Sequence, residues 1–93
     1  MSPSVYHLEV WFTGRVQGVG FRARVMDMAR GFEVTGRVQN LDDGRVYLFA
    51  EGREYEVAGL LDSVEAAMPA YIRSVETKAG AGPRRHSDFI IAR

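Results

Sequence analysis

The strongest constraint in this sequence is a change of hydrophobic period across one short glycine-rich stretch. From Val5 to Thr13, Tyr6, Leu8, Val10 and Phe12 alternate with His7, Glu9 and Trp11, a period of two that describes a half-buried β-strand. From Phe21 onward, Phe21, Val25, Met28, Ala29 and Phe32 recur at helical spacing and define one apolar face. Between the two lies GRVQGVGFR, residues 14–22, with glycines at 14, 18 and 20. The chain must therefore turn from strand to helix through a loop that is free to take positive φ. Successive N–H groups in such a loop can converge where no Cβ crowds an incoming oxygen. A helix start adds unpaired N–H groups and roughly +0.5 of an elementary charge. Arg22, in the first turn, adds a planar fork suited to phosphate oxygens. The same residues also serve as a plain tight turn with a solvated arginine, so the motif alone leaves both readings open. No Lys-Ser or Lys-Thr follows the last glycine, which argues against a nucleoside triphosphatase, and Gly14 and Gly18 are too far apart for a dinucleotide loop.

The remaining chain supplies the partners for this unit. Glu33 to Gln39 reads as a second strand with Asn40 at its far end, and Asp43-Gly44 marks a hairpin into a third strand through Val46, Leu48 and Ala50. Val57, Leu60, Leu61, Val64 and Met68 keep helical spacing until Pro69 stops the second helix. Ile72 to Lys78 is a weaker strand, its apolar Ile72 and Val75 three apart as at a bulge. AGAGPRRHSD is read as a loop with His86 facing solvent, and Phe89 to Ala92 as a possible short closing strand. Gly31 is expected to stop the first helix as its C′ residue. His7 and Glu9 are expected to be solvated neighbours on the outer face of the first strand, without a role. The order strand, helix, strand, strand, helix, strand is that of an α+β, ferredoxin-like βαββαβ sandwich, an antiparallel sheet with two helices on one face. In that topology the first two strands run parallel, so their C-terminal ends share a rim. Asn40 is thereby brought toward the 14–20 loop.

Composition narrows the chemistry. The chain has 93 residues, one domain's worth, with zero formal net charge and no cysteine. Disulfides and thiolate nucleophiles are thereby excluded, and the overall field attracts neither nucleic acid nor an anionic membrane. Lys78 is the only lysine, so any anion is met by arginine forks. No targeting stretch or membrane-length apolar run is evident, and a cytoplasmic, monomeric protein without nucleic-acid or membrane partners is expected.

GRVQGVGFR followed by GRVQNLDDGRV at this separation resembles the acylphosphatase family. The similarity continues through Ala50-Glu51-Gly52 before the second helix and through the closing strand, Phe89 to Arg93. It implies a small enzyme that hydrolyses acyl phosphates without metal or cofactor. It also implies that Arg22 binds the substrate phosphate, that the backbone of Arg15, Val16, Gln17, Gly18, Val19 and Gly20 cradles it, and that Asn40 positions the attacking water. Three positions depart from the family pattern: Asp42 where proline is usual, Arg37 where an aromatic is usual, and Glu33 where a helix-ending glycine is usual. The chemistry agrees with this reading. The carboxylate leaving group has a parent acid of pKa about 4 and departs unprotonated, so no general acid is required. Two other classes offer themselves. Trp11, Tyr47 and Phe49 on the open sheet face could act as an RNA-stacking platform, although the zero net charge and the lack of a basic-glycine-aromatic run argue against it. A non-catalytic module binding a phosphorylated ligand is the other, and the presence of both Arg22 and Asn40 weighs against it.

Overall fold

The computed structural model describes residues 3–93. The elements follow in the order β1 (Ser4–Gly14), α1 (Phe21–Ala29), β2 (Val34–Asn40), β3 (Val46–Gly52), α2 (Glu54–Ala67), β4 (Ile72–Pro83) and β5 (Phe89–Ala92). They build one sheet of strand order β4-β1-β3-β2-β5, the ferredoxin-like arrangement with a fifth strand added at the β2 edge. β3 pairs antiparallel with both β1 and β2, so β1 and β2 point the same way. The expected fifth strand is present but runs parallel to β2, pairing Val38 with Ile91, which makes the sheet mixed rather than wholly antiparallel.

Helical and alternating apolar residues meet in a single core between the sheet and the helices. Leu8, Val10 and Phe12 of β1, Val38 of β2 and Val46, Leu48 and Ala50 of β3 are buried against Phe21, Val25 and Ala29 of α1 and Val57, Leu60 and Val64 of α2. Phe12 and Phe21, with ring centroids 5.1 Å apart, fix the start of α1 to the end of β1. Truncating either aromatic would cost about 3–5 kcal/mol.

The pairing corrects one expectation and bears out another. β4 does not stop at Lys78 but continues through Ala79–Pro83, bonded to β1 as far as Ser4, because backbone pairing outweighs the weak strand preference of Gly and Ala. The bulge implied by Ile72 and Val75 is real: Thr13 pairs with Ser74 and Gly14 with Ile72, leaving Arg73 extra. A Cβ on Gly14 would run into the Tyr71 carbonyl at this bulge, so Gly14 serves strand packing. Gly31 follows the C-cap residue Arg30 without positive φ, and α1 unwinds through bonds from Arg30, Gly31 and Phe32 N–H to the carbonyls three residues back. Glu33 therefore never meets the left-handed conformation that its position suggested, and its N–H donates to Glu56 Oε1 at 2.6 Å.

Candidate active site

The parallel run of β1 and β2 delivers the 14–20 loop and Asn40 to one rim. There Val16, Gly18, Gly20, Phe21, Arg22, Ala23, Asn40 and Ile91 line a hollow of about 190 Å³. The loop is shaped at both ends. Val16 inserts its side chain into the core, 1 % exposed, and Arg15 N–H donates to Tyr71 O at 2.9 Å. Gly18 and Gly20 hold φ of 76° and 77°, left-handed values that place their N–H groups without side-chain obstruction. Gly20 is also the N-cap of α1 and provides no side-chain cap, and the first helical bond runs from Arg24 N–H to Gly20 O. Among the described residues, no N–H from Val16 to Ala23 finds a protein acceptor. A helix start with uncapped donors leaves its partial positive charge facing the hollow.

Two side chains complete it. Arg22 is half-buried and makes no ion pair or hydrogen bond with any described residue, which is unusual for an arginine beside a core. Asn40, the last residue of β2, has its Oδ1 buried with no hydrogen-bond partner, the one such side-chain atom among the described residues. A buried amide oxygen without a donor costs about 1–3 kcal/mol, a cost removed when a water or ligand donates to it.

Of the sequence-derived site residues, Val16, Gly18, Gly20, Arg22 and Asn40 meet at the hollow, whereas Arg15, Gln17 and Val19 do not line it. Arg15 is exposed on the outside of the turn, Val19 packs toward the core, and Gln17 points to the β2–β3 hairpin. Phe21, Ala23 and Ile91 line the hollow without having been singled out. The signal for Ile91 was confined to a short apolar run whose neighbour strand the sequence did not specify.

The opposite sheet face behaves differently from its sequence reading. His7 is buried, with Nε2 3.1 Å from Pro83 O and 3.4 Å from Glu51 Oε1, because the extended β4 and the segment after it fold over β1. Phe49 is covered by His7, His86, Arg37 and Arg85, the two guanidinium carbons lying 5.7 and 5.3 Å from its ring centre. Arg37, where an aromatic is usual, also lies over Tyr47 at 5.2 Å and so offers the flat surface an aromatic would. His86 is not free in solvent, since it packs on Phe49 and meets Arg37. Tyr47 donates to Glu9 at 2.8 Å, and burial, with that bond, pushes its phenol up to about 12. Tyr47 and Phe49, two of the three rings of the expected platform, are therefore too buried to offer their faces for stacking.

The fold is that of a ferredoxin-like domain, with a hollow lined by unpaired donors at the joint strand ends. The family profile for acylphosphatase matches residues 8–91, and the chain belongs to the acylphosphatase family. It is 44 % identical over 72 residues to an acylphosphatase of Archaeoglobus fulgidus, covering 76 % of this chain and 81 % of that one. With an acylphosphatase of Thermotoga petrophila the identity is 36 % over 84 residues, 90 % of this chain and 93 % of the relative. The crystal structure of acylphosphatase from Bacillus subtilis superposes with a TM-score of 0.87 at 31 % identity, covering 95 % of this chain and 99 % of the other.

Proposed function

We propose that this protein, as a single domain, is an acylphosphatase that hydrolyses the carboxyl–phosphate bond of acyl phosphates without metal. In this reading the loop of residues 16–20 and Arg22 hold the phosphoryl group, Arg15 N–H being spent on Tyr71 O, and Asn40 orients the water. The observation that carries the reading is the convergence, in one hollow, of unpaired N–H donors, an unpaired guanidinium and a buried acceptor without a donor. Donors of that number suit a dianionic phosphoryl group. Asn40 Oδ1 accepts a hydrogen bond from the water and so fixes its orientation. Held so, the water turns its lone pair toward phosphorus as the P–O bond to the acyl group breaks. The bonding pair leaves with the carboxylate, and the water's proton passes to a phosphoryl oxygen of the substrate, giving carboxylate and dihydrogen phosphate. Neither step asks for a general acid, since the leaving carboxylate is a weak base. Charge neutralisation is assigned to Arg22 and the helix start. No described helix is long and apolar enough to cross a membrane.

The test is hydrolysis of a simple aromatic acyl phosphate in excess chelator, with inorganic phosphate as inhibitor. Turnover should persist and phosphate should compete with substrate. Loss of turnover in chelator with recovery on adding magnesium contradicts the mechanism.

A further inference from the structure

We propose that the side chain of Gln17 is a positioning residue for the reaction, a latch that sets the distance between the phosphate loop and Asn40. The inference rests on the function proposed above and adds a side chain that acts without touching substrate. Gln17 Nε2 donates to Leu41 O at 2.8 Å and to Arg45 O at 3.0 Å, contacts that span 24 and 28 residues of sequence. A primary amide has two N–H groups, and both are used. The two carbonyls belong to the two ends of the β2–β3 hairpin loop, which Leu41 N–H itself closes onto Arg45 O at 2.8 Å. Leu41 directly follows Asn40, so the latch holds the base on which Asn40 stands.

The loop does not need Gln17 for its own shape. Val16 is anchored in the core, Arg15 is tied to Tyr71, and Gly18 and Gly20 supply the left-handed turns. Gln17 is absent from the wall of the hollow and so does not meet the phosphate through its side chain. What it joins are two structures assigned different tasks, one holding phosphorus and the other holding water. The separation between a nucleophile and the atom it attacks is steeply tied to rate, a misplacement of about 1 Å costing on the order of a hundredfold. A latch across that gap should therefore affect turnover and leave phosphate binding alone.

The experiment compares wild type with Gln17→Met, which keeps the length of the side chain and loses its donors, after melting curves fix a temperature at which both are folded. Gln17→Glu, equal in size but unable to donate at neutral pH, takes its place where the methionine variant fails to fold. Hydrolysis of an aromatic acyl phosphate gives kcat, and competition by inorganic phosphate gives the affinity of the cradle. The expected result is a kcat lower by on the order of tenfold with phosphate affinity held within about twofold. In an Asn40→Ala background the same substitution should have little further effect, because the group it positions is gone. Unchanged kcat in an active protein overturns the latch and leaves the enzyme assignment standing. Equal loss of kcat and phosphate affinity, or a full additional loss on top of Asn40→Ala, also overturns it. A wild-type protein without hydrolysis removes the function and the latch together.

Discussion

Two polar regions of this small protein are built in opposite ways. At the rim shared by β1 and β2, donors and acceptors are gathered and left without partners: the N–H groups of Val16 to Ala23, the Arg22 fork and Asn40 Oδ1. On the sheet face away from the helices, the Glu51 carboxylate is instead met by protein donors at both oxygens. Glu51 is 0 % exposed and accepts from Arg85 N–H at 2.8 Å, His86 N–H at 2.7 Å and Thr35 Oγ1 at 2.9 Å, with His7 Nε2 3.4 Å away. Burial alone would push its carboxyl up, but those donors outweigh it and hold the group below its ordinary value. The contrast separates roles by satisfaction. Polar groups whose partners are protein groups fix the fold, here by pinning the β4–β5 connection over β3. Polar groups lacking such partners at a place the fold has shaped await a ligand.

The largest effect is expected at Arg22. Arg22→Lys keeps the charge and loses the planar pair of donors, so turnover of an aromatic acyl phosphate should fall on the order of a thousandfold, KM rising as kcat falls. Because Arg22 has no partner among the described residues, the melting temperature should barely move, and a variant that loses stability while keeping activity would reverse its assignment. Asn40→Ala comes next, with a loss on the order of a hundredfold in kcat, about 3 kcal/mol. Inorganic phosphate should inhibit this variant as it inhibits wild type, since Asn40 is assigned to water. Parallel loss of phosphate affinity would move Asn40 into the cradle.

Glu51→Gln tests the other region. It leaves one acceptor where three donors converge and turns an NH2 toward at least one of them. Denaturant unfolding should show a loss of about 3 kcal/mol, with kcat of the folded fraction close to wild type. The smallest expected effect is its pH signature. A carboxyl depressed in the folded state contributes stability above the unfolded value, 4.5, and loses it as pH falls through the lower folded value. Wild type should therefore lose stability as pH falls below about 5 more steeply than Glu51→Gln. Identical pH slopes would show that Glu51 is not the buried anion described.

Sequence made the rim far more legible than the opposite face. The rim's signals are local: glycines at 18 and 20 demand unusual φ, a helical period begins at Phe21, and Asn40 ends an alternating strand beside an Asp-Gly turn. Topology alone then joins them. The Glu51 region is assembled from residues without local signal. Ala79–Pro83 carry no strand preference and become β4 by pairing with β1, and only that pairing folds Arg85 and His86 back over Phe49 and buries His7. The parallel docking of β5, which brings Ile91 to the hollow, was hidden for the same reason, four apolar residues specifying a strand but not its neighbour.

The central claim is that unpaired groups at the rim, and not the satisfied polar groups of the opposite face, receive the substrate's phosphate. Titrating inorganic phosphate into isotope-labelled protein in the presence of chelator, and following backbone amide resonances, tests it directly. The account predicts saturable shifts at Gly18, Val19, Gly20, Phe21 and Arg22 with one common affinity, and silence at Arg85 and His86. Shifts that centre on Arg85 and His86, or a loop that does not respond to saturating phosphate, would contradict it.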